Sequence, residues 1–327
     1  MPHPAVPSPE ILAFGEAMAM FVAKTSGELA EVEEFQRRIA GADTNVAIGL
    51  ARLGFRVGWL SRVGSDSFGR YIRQTLEAEG LDCRHLQIDP EHPTGLLFKE
   101  RATAGADPRV EYYRQSSAAS RLTPEDANGV DFPALRHLHA TGIPPALSAS
   151  ARELSRHMLT HARQAGATIS FDPNLRPSLW PSETVMRETL NEMAGLTDWV
   201  LPGLAEGRFL TGYDTPEAIA DYYLERGAQA VFIKLGPEGS YYRGTLGGQK
   251  ASFTIPGVPV AEVVDTVRAG DGFAVGVVSA LLDGCSPEQA ARRGNLLGAL
   301  AVQVTGDMEG LPSRDHLTEL ESGLSGL

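Results

Sequence analysis

The sequence is poor in the residues that mark secreted and membrane-bound proteins. Among 327 residues there are only two cysteines, Cys83 and Cys285, which are too few for the disulfide framework of a secreted domain. The longest apolar run follows Asp271 and is interrupted by Gly276, so it is shorter than the roughly 20 residues that a membrane-spanning helix needs. We therefore expect a cytoplasmic protein with reduced thiols and no membrane partner.

Positive charge is also scarce. The chain has 29 Lys and Arg residues against 41 Asp and Glu residues, which gives a formal net charge of −12. This excess of negative charge disfavours binding to nucleic acids and to anionic membranes. An anionic small molecule could still bind, but a few local Arg and Lys residues would have to hold it.

Two further sequence signals are missing. No Gly-x-x-x-x-Gly-Lys-Ser/Thr segment occurs, so the chain has no P-loop. The proline-rich residues 1–9 lack the charged and apolar regions of a signal peptide, and we expect them to form a disordered lead. We expect a single domain over about residues 10–316.

Short apolar segments alternate with helical patterns along most of the chain. This alternation predicts an α/β fold with a doubly wound, mostly parallel sheet flanked by helices, in which ligands bind at the carboxyl ends of the strands. The predicted strands are Ile11 to Phe14, Val57 to Val63, His137 to Thr141, Thr168 to Phe171, Trp199 to Leu201 and Ala230 to Leu235. The predicted helices include Asn45 to Leu53, Ser148 to Ala165 and Pro216 to Arg226.

Two segments depart from this alternation, at about residues 17–38 and 94–117. Both contain stretches of period two, such as Val110, Tyr112 and Arg114 on one side with Glu111 and Tyr113 on the other. This period is typical of antiparallel strands. We expect the two segments to form a small β lid.

The motif Asp265-Thr266-Val267-Arg268-Ala269-Gly270-Asp271 leads directly into an apolar helix, because Phe273, Val277 and Leu281 recur at helical spacing. Free backbone NH groups and the helix dipole favour an anion at such a helix start. Asp271 could accept a proton beside that anion, and these two elements suit phosphoryl transfer to a hydroxyl. From these residues alone, Asp271 could equally be an N-capping residue of a core helix.

Together with Ala40-Gly41-Ala42-Asp43-Thr44-Asn45, this motif resembles the two signatures of the ribokinase-like (phosphofructokinase-B type) sugar kinases. The similarity covers about residues 10 to 315. Within that family the chain resembles the 2-keto-3-deoxygluconate kinases. The supporting segments are Phe14-Gly15-Glu16-Ala17-Met18, Pro93-Thr94-Gly95-Leu96, Tyr112-Tyr113-Arg114 with Ser117-Ala118-Ala119-Ser120, Thr141-Gly142-Ile143-Pro144-Pro145-Ala146-Leu147-Ser148, Phe171-Asp172-Pro173-Asn174-Leu175-Arg176-Pro177 and Gly306-Asp307-Met308-Glu309-Gly310.

The resemblance implies an enzyme that uses ATP and Mg²⁺ to phosphorylate the 6-hydroxyl of 2-keto-3-deoxy-D-gluconate. Asp271 would be the general base, and Arg268, Ala269 and Gly270 would supply the backbone anion cradle. Two alternatives stay open. One is a kinase of the same fold for 2-keto-3-deoxygalactonate or fructose. The other is a non-catalytic sugar- or nucleotide-binding homologue, because Arg268 replaces the Gly or Ala usual in the family.

The resemblance also implies the substrate-binding residues and the assembly. Gly41, Ala42 and Asn45 would contact the sugar, and the family's usual Gly-Gly pair is Gly41-Ala42 here. The lid would close over the substrate and form the contact of at least a homodimer. Further predicted substrate contacts are Tyr112, Tyr113, Arg114, Arg176 and Asp307, with Arg114 on the carboxylate. Without the resemblance, Asn45 would be an incidental helix residue and Arg114 a solvated lid residue.

The remaining predicted residues concern the nucleotide and its metal ion. Glu206 resembles the acidic residue that holds hydrated magnesium, although the family's Asn three positions earlier is Gly203 here. The predicted nucleotide-binding residues are Asn174, Arg176, Lys234, Gly236, Gly239 and Asn295. From the residues alone, Arg176 could be a surface residue and Asn295 a residue on a helix face. We expect His137 and His139 to be strand residues rather than ligands.

Overall fold

The computed structural model describes residues 8–101, 108–260, 268–303 and 310–324. Asp307, Asp265 to Val267 and residues 1–7 of the predicted lead therefore lie outside the described residues. At the end of that lead, Pro9 is buried. Its side chain lies against Gly58, so Pro9 packs on the sheet.

Thirteen strands are found in the described ranges. In chain order they are β1 (Ile11–Phe14), β2 (Met18–Ala23), β3 (Phe35–Ala40), β4 (Val57–Gly64), β5 (Asp82–Asp89), β6 (Leu96–Lys99), β7 (Val110–Tyr113), β8 (His137–Thr141), β9 (Thr168–Asp172), β10 (Trp199–Val200), β11 (Ala230–Lys234), β12 (Ser240–Gly244) and β13 (Ala251–Ile255). Nine of them form one sheet in the order β13-β12-β11-β10-β9-β8-β1-β4-β5. Its neighbours are parallel except for β11 with β12 and β12 with β13.

The helices that cover this sheet begin at side chains suited to capping. Asp66 accepts hydrogen bonds from the backbone NH groups of Phe68 and Gly69, and Ser148 accepts one from Ala151. The α-helices of the described ranges are α1 (Ala42–Arg52), α2 (Ser67–Ala78), α3 (Pro144–Leu147), α4 (Ala149–Gln164), α5 (Glu183–Ala194), α6 (Leu204–Thr211), α7 (Pro216–Leu224), α8 (Ala269–Leu282), α9 (Pro287–Ala301) and α10 (Arg314–Leu324). Within the same ranges no helix combines the length and apolar character needed to cross a bilayer.

Apolar side chains cover both faces of the nine-stranded sheet. Along β11, Ala230 and Phe232 belong to one buried cluster, whereas Val231 and Ile233 belong to the other. Because alternate residues of a strand point to opposite faces, each strand supplies both clusters. The predicted doubly wound sheet flanked by helices is therefore confirmed.

His137 and His139 are buried strand residues of β8, as expected. His137 hydrogen-bonds the hydroxyl groups of Thr168 and Ser170, each at 2.8 Å, and His139 shares Ser170 at 2.8 Å. Burial lowers the pKa of both imidazoles, that of His139 to about 3. Both rings are therefore neutral at pH 7 and act as internal polar links between β8 and β9.

The other four strands form the lid sheet in the order β3-β2-β6-β7. β2 pairs with β6 in parallel, and the other two pairings are antiparallel. The two segments that departed from the βα alternation supply all four strands. The predicted lid is therefore a separate sheet, with a parallel pair at its centre that the period of two did not predict.

Candidate active site

The site is built around the start of α8. Asp271 lies in the first turn of this helix and is 7 % exposed. Arg268 precedes the helix with φ −107° and ψ −2°, so no left-handed backbone strains its side chain. Arg268 is 2 % exposed and therefore does not extend into solvent.

Asn45 holds the carboxylate of Asp271. Its side-chain amide donates a hydrogen bond to Asp271 Oδ2 at 2.8 Å, and Asn45 itself is 2 % exposed. Gly41 starts the helix that carries Asn45, with φ 153°, and a Cβ there would collide with the carbonyl oxygen of Glu16. The two motifs that were predicted to carry the chemistry thus meet through a buried hydrogen bond.

A partly buried ion pair lies beside the start of α8. Lys234 ends β11 and Asp172 ends β9, and Lys234 Nζ lies 2.6 Å from Asp172 Oδ2 and 4.0 Å from Glu206 Oε2. A Cβ built on Gly270 would lie 3.4 Å from Lys234 Nζ, so the ammonium group adjoins the predicted anion cradle. Burial raises the pKa of Asp172 to about 6 against the opposing effect of Lys234. Burial lowers the pKa of Lys234, but Asp172 and Glu206 outweigh it and raise that pKa overall.

Glu206 already binds two backbone groups. Its Oε1 accepts a hydrogen bond from the NH of Leu175 at 2.8 Å, and its Oε2 accepts one from the NH of Gly203 at 2.7 Å. No group of three His, Cys, Asp or Glu side chains in the described ranges could by itself hold a metal ion. These residues fit a hydrated magnesium ion that is carried by nucleotide phosphates, since Mg²⁺ usually keeps several waters and takes few protein ligands.

Arg114 lies directly after β7 and is buried, with 8 % exposure. Its Nη2 lies 2.5 Å from Glu16 Oε2 in an ion pair, and the hydroxyl of Ser117 donates to Glu16 Oε1. Arg114 Nε has no hydrogen-bond partner among the described residues. The guanidinium is therefore not a solvated lid residue. It has an internal partner that the sequence did not predict and retains a donor for a ligand.

The two lid tyrosines lie on opposite faces of the lid sheet. The guanidinium carbon of Arg114 lies 5.8 Å from the centre of the Tyr112 ring. The Tyr113 ring instead packs edge-on against Phe98, with ring centres 5.7 Å apart. The structure brings Tyr112 to the predicted carboxylate-binding Arg114, whereas it places Tyr113 on the other face.

A cavity of about 590 Å³ lies between the end of β13 and α9, and of the six predicted nucleotide-binding residues Asn295 alone lines it. Asn295 lines it and donates hydrogen bonds to the carbonyl oxygens of Ile255 at 3.2 Å and Pro256 at 3.1 Å. Gly239 lies against Ile255 and Pro256 at the end of β13, so close that a Cβ built on it would collide with the carbonyl oxygen of Ile255. Gly236 lies three residues earlier in the turn after β11.

Asn174 and Arg176 lie in the loop after β9, next to Asp172. Asn174 has a left-handed φ of 41°, and its backbone NH bonds to Asp172 Oδ1 at 3.2 Å. The side chain of Arg176 donates to its neighbour Leu175 O at 2.9 Å and is partly buried. The loop therefore adjoins the Asp172–Lys234 pair. Asp307 cannot be placed, since it lies outside the described residues.

Sequence reasoning did not single out Asp43. This residue follows Gly41 and Ala42 in α1, is 1 % exposed and accepts a hydrogen bond from the hydroxyl of Thr141 at 3.0 Å. Burial, together with the nearby charges of Asp271 and Asp172, raises its pKa to about 8. The one sequence signal was the position of Asp43 inside the motif around Gly41. That motif predicts neither the burial of Asp43 nor its hydrogen bond with Thr141.

Comparison with known proteins agrees with this arrangement. The sequence profile of the pfkB family carbohydrate kinases matches residues 8–314. A 2-dehydro-3-deoxygluconokinase of Bacillus subtilis strain 168 is 53 % identical over 315 residues, which cover 96 % of this chain and 95 % of that protein.

Solved structures show the same fold. The PfkB protein from Polaromonas sp. JS666 superposes with a TM-score of 0.86 at 48 % identity, covering 95 % of this chain and 99 % of that chain. An Escherichia coli protein named ribokinase II, solved in complex with ATP and Mg²⁺, superposes with a TM-score of 0.86 at 26 % identity, covering 96 % and 99 % of the two chains. The resemblance drawn from the sequence motifs is thus confirmed.

Proposed function

Because this chain belongs to the pfkB family of carbohydrate kinases, we propose that it transfers the γ-phosphoryl group of ATP to the 6-hydroxyl of 2-keto-3-deoxy-D-gluconate, also called 2-dehydro-3-deoxygluconate. The observation that carries the choice of substrate is the 53 % identity to the Bacillus subtilis 2-dehydro-3-deoxygluconokinase over nearly the whole chain. The products would be ADP and 2-keto-3-deoxy-6-phosphogluconate.

Asp271 would act as the general base. The substrate hydroxyl would lose its proton to the Asp271 carboxylate as its oxygen attacks the γ-phosphorus. Phosphoryl transfer depends mainly on positioning and charge neutralisation, so the orientation of an ordinary carboxylate matters more than its basicity. The hydrogen bond from Asn45 supports this role, because it fixes Asp271 Oδ2 and thereby the direction of the other oxygen.

Neutralisation of the transferred phosphoryl group would come from the start of α8 and from Lys234. Backbone NH groups in the first turn of a helix, here those of Ala269 and Gly270, suit an anion, and the Lys234 ammonium adjoins Gly270. Magnesium, when bound with ATP, supplies further positive charge to the phosphates. Asp172 and Glu206 are the carboxylates beside Lys234, and they would orient the water molecules of the magnesium ion.

Arg114 would recognise the carboxylate of the sugar acid. A buried guanidinium whose Nε donor has no partner among the residues that the structure describes suits a planar carboxylate at the edge of the lid. Tyr112 would cover this contact, since its ring lies over the guanidinium. A neutral sugar offers no carboxylate to this group, which favours a sugar acid over fructose.

We also propose a homodimer formed through the lid. Phe21, Phe35, Phe98 and Tyr113 form a connected aromatic cluster on one face of the lid sheet. All four side chains are partly exposed, and Tyr113 is 59 % exposed. A second copy of the chain would remove this apolar surface from water. A cytoplasmic location agrees with the free thiols of Cys83 and Cys285.

The test is an ADP-release assay over a panel of sugar acids and neutral sugars, with the product identified by ³¹P and ¹³C NMR. We expect the highest kcat/KM for 2-keto-3-deoxygluconate and a phosphate on its carbon 6. Preference for 2-keto-3-deoxygalactonate or fructose would replace the proposed substrate. Absence of turnover with every sugar, in a folded protein that binds ATP, would favour the non-catalytic alternative.

A further inference from the structure

A buried carboxyl group beside the base has an oxygen without a partner. Asp43 Oδ2 accepts the hydroxyl hydrogen of Thr141, and that hydroxyl oxygen in turn lies 3.2 Å from the NH of Ile143. Asp43 Oδ1 is buried and has no hydrogen-bond partner among the described residues. A buried polar atom without a partner costs free energy, and this cost is removed when a ligand provides the partner.

The position of this carboxyl group is on the active-site side of the sheet. Gly15, directly after β1, and Thr141, at the end of β8, both adjoin Asp43 Oδ2. These are carboxyl ends of neighbouring strands, where doubly wound sheets bind their ligands. Asp43 is also two residues from Asn45, whose amide binds Asp271.

We propose that Asp43 is a specificity-determining residue of the sugar-acid site, and that its Oδ1 carries a proton and donates a hydrogen bond to an acceptor oxygen of the bound substrate. This inference rests on the proposed sugar-acid kinase function. The proton lies on Oδ1 because Oδ2 is the atom that accepts from Thr141. A neutral carboxyl group can approach an anionic substrate without the repulsion that an ionised one would add beside Asp271.

The surroundings of Asp43 keep it neutral at pH 7. Burial raises its pKa to about 8, and the carboxylates of Asp271 on α8 and Asp172 on β9 act in the same direction. β8 contributes Thr141, which does not titrate. Neither Gly15 after β1 nor Asn45 on α1 is titratable. Ionisation of Asp43 above pH 8 therefore removes the donor and adds a negative charge.

The test measures steady-state kinetics of the full-length protein from pH 6.5 to 9.5 in the wild type, in two Asp43 variants and in one control variant. Asp43→Ala should raise the KM for the sugar acid roughly fivefold or more, with the KM for ATP unchanged. Asp43→Asn keeps an amide donor of similar shape and should raise that KM at pH 7 less than the alanine variant does. In the wild type the sugar-acid KM should increase from pH 7 to 9.5, and in Asp43→Asn this increase should disappear.

Asp198→Asn is the matched control. Asp198 is a partly buried carboxylate just before β10, at the amino ends of the strands, where it accepts hydrogen bonds from Ile169 and Gln229. Its substitution should leave the pH dependence of the sugar-acid KM as in the wild type.

Three results would overturn the role of Asp43: an unchanged sugar-acid KM in Asp43→Ala, an equal increase of both KM values, or an alkaline increase that persists in Asp43→Asn. A wild type without activity on any sugar acid would instead refute the proposed function.

Discussion

At the scale of single residues, the proposed role of Asp271 as the general base can be tested by one substitution. We expect Asp271→Asn to lower kcat by a factor of about 10³ or more, because the amide keeps the shape but cannot take the proton. Sugar-acid binding, measured by isothermal titration calorimetry, should stay within about threefold of the wild type. A variant that keeps more than about a tenth of kcat would remove Asp271 from the base role.

Arg114 forms an ion pair with Glu16 and is proposed to bind the substrate carboxylate, so a single substitution would remove both contacts. Arg114→Ala should raise the KM for the sugar acid far more than that for ATP, since the lost contact is a charge-assisted pair worth very roughly 1.5 to 3 kcal/mol. The same change also leaves Glu16 buried without its cation, which should lower the melting temperature.

The double variant Arg114→Ala with Glu16→Gln separates these roles. It removes the unpaired buried charge, so the melting temperature should recover while the sugar-acid KM stays high. Recovery of both quantities together would show that Arg114 only neutralises Glu16. Kinetics and thermal unfolding of the single and double variants therefore decide the assignment.

The raised pKa of Asp43 also predicts how the free energy of unfolding changes with pH, without any substrate present. The pKa of Asp43 is raised from 3.8 to about 8 in the folded protein. Between these pH values the folded chain keeps a proton that the unfolded chain releases, so the contribution of Asp43 to stability falls as pH rises. Above about pH 8 this contribution is constant.

Asp43→Asn removes the titration. Its stability relative to the wild type should therefore improve by at most about 1.4 kcal/mol per pH unit between pH 5 and 8. Urea unfolding at several pH values measures this difference. A constant difference across that range would show that Asp43 is ionised in the folded protein.

At the scale of elements, the position of the anion cradle depends on how closely α8 packs on α9. A Cβ built on Gly276 would lie 2.5 Å from the carbonyl oxygen of Arg293 on α9. Gly276→Ala should therefore force the helices apart and cost about 1 to 3 kcal/mol of unfolding free energy. It should also raise the KM for ATP, because α8 carries the cradle and α9 carries Asn295.

Gly323→Ala is the control for this prediction. Gly323 lies in α10, and a Cβ there would meet nothing within 4 Å. Alanine favours a helix over glycine, so this variant should be as stable as the wild type or slightly more stable. Equal effects of the two substitutions on stability would contradict the close packing of α8 and α9.

The sequence predicted buried parallel strands better than the strands at the two ends of the sheet. β1 and β8 begin and end where their apolar patterns indicated, since both faces of these strands are buried. β12 and β13 were not predicted, because an antiparallel hairpin at the end of the sheet breaks the βα alternation. β5 was missed as well, since its polar and apolar residues mix as expected for an edge strand.

For the site, the sequence motifs indicated residue types but not most of their tertiary partners. Asn45 and Asp271 were both predicted, and yet their contact joins motifs 226 positions apart in the sequence. The pairing of Arg114 with Glu16 could not be predicted, because nothing local to either residue specifies the other. The burial of Asp43 is likewise a property of the assembled strand ends and not of its own motif.

At the scale of the whole molecule, the lid should set the oligomeric state. We expect a solution mass near twice the 35.0 kDa of the chain by light scattering. Phe98→Glu places a charge within the aromatic face of the lid and should shift the protein to monomers. Tyr213→Glu introduces the same charge at an aromatic residue outside the lid, just after α6 and 50 % exposed, and should leave the dimer intact. A wild-type monomer would contradict the proposed assembly.

The hydrogen bond between Asn45 and Asp271 also bears on synthesis of the protein in the cell. Translation proceeds from the amino terminus, so the sugar-side motif on α1 emerges from the ribosome long before α8 exists. On the proposed mechanism, a nascent chain that ends before Arg268 has neither the base Asp271 nor the anion cradle. Products of interrupted translation would thus consume no ATP, and phosphoryl transfer begins only once α8 has emerged and docked beside α1.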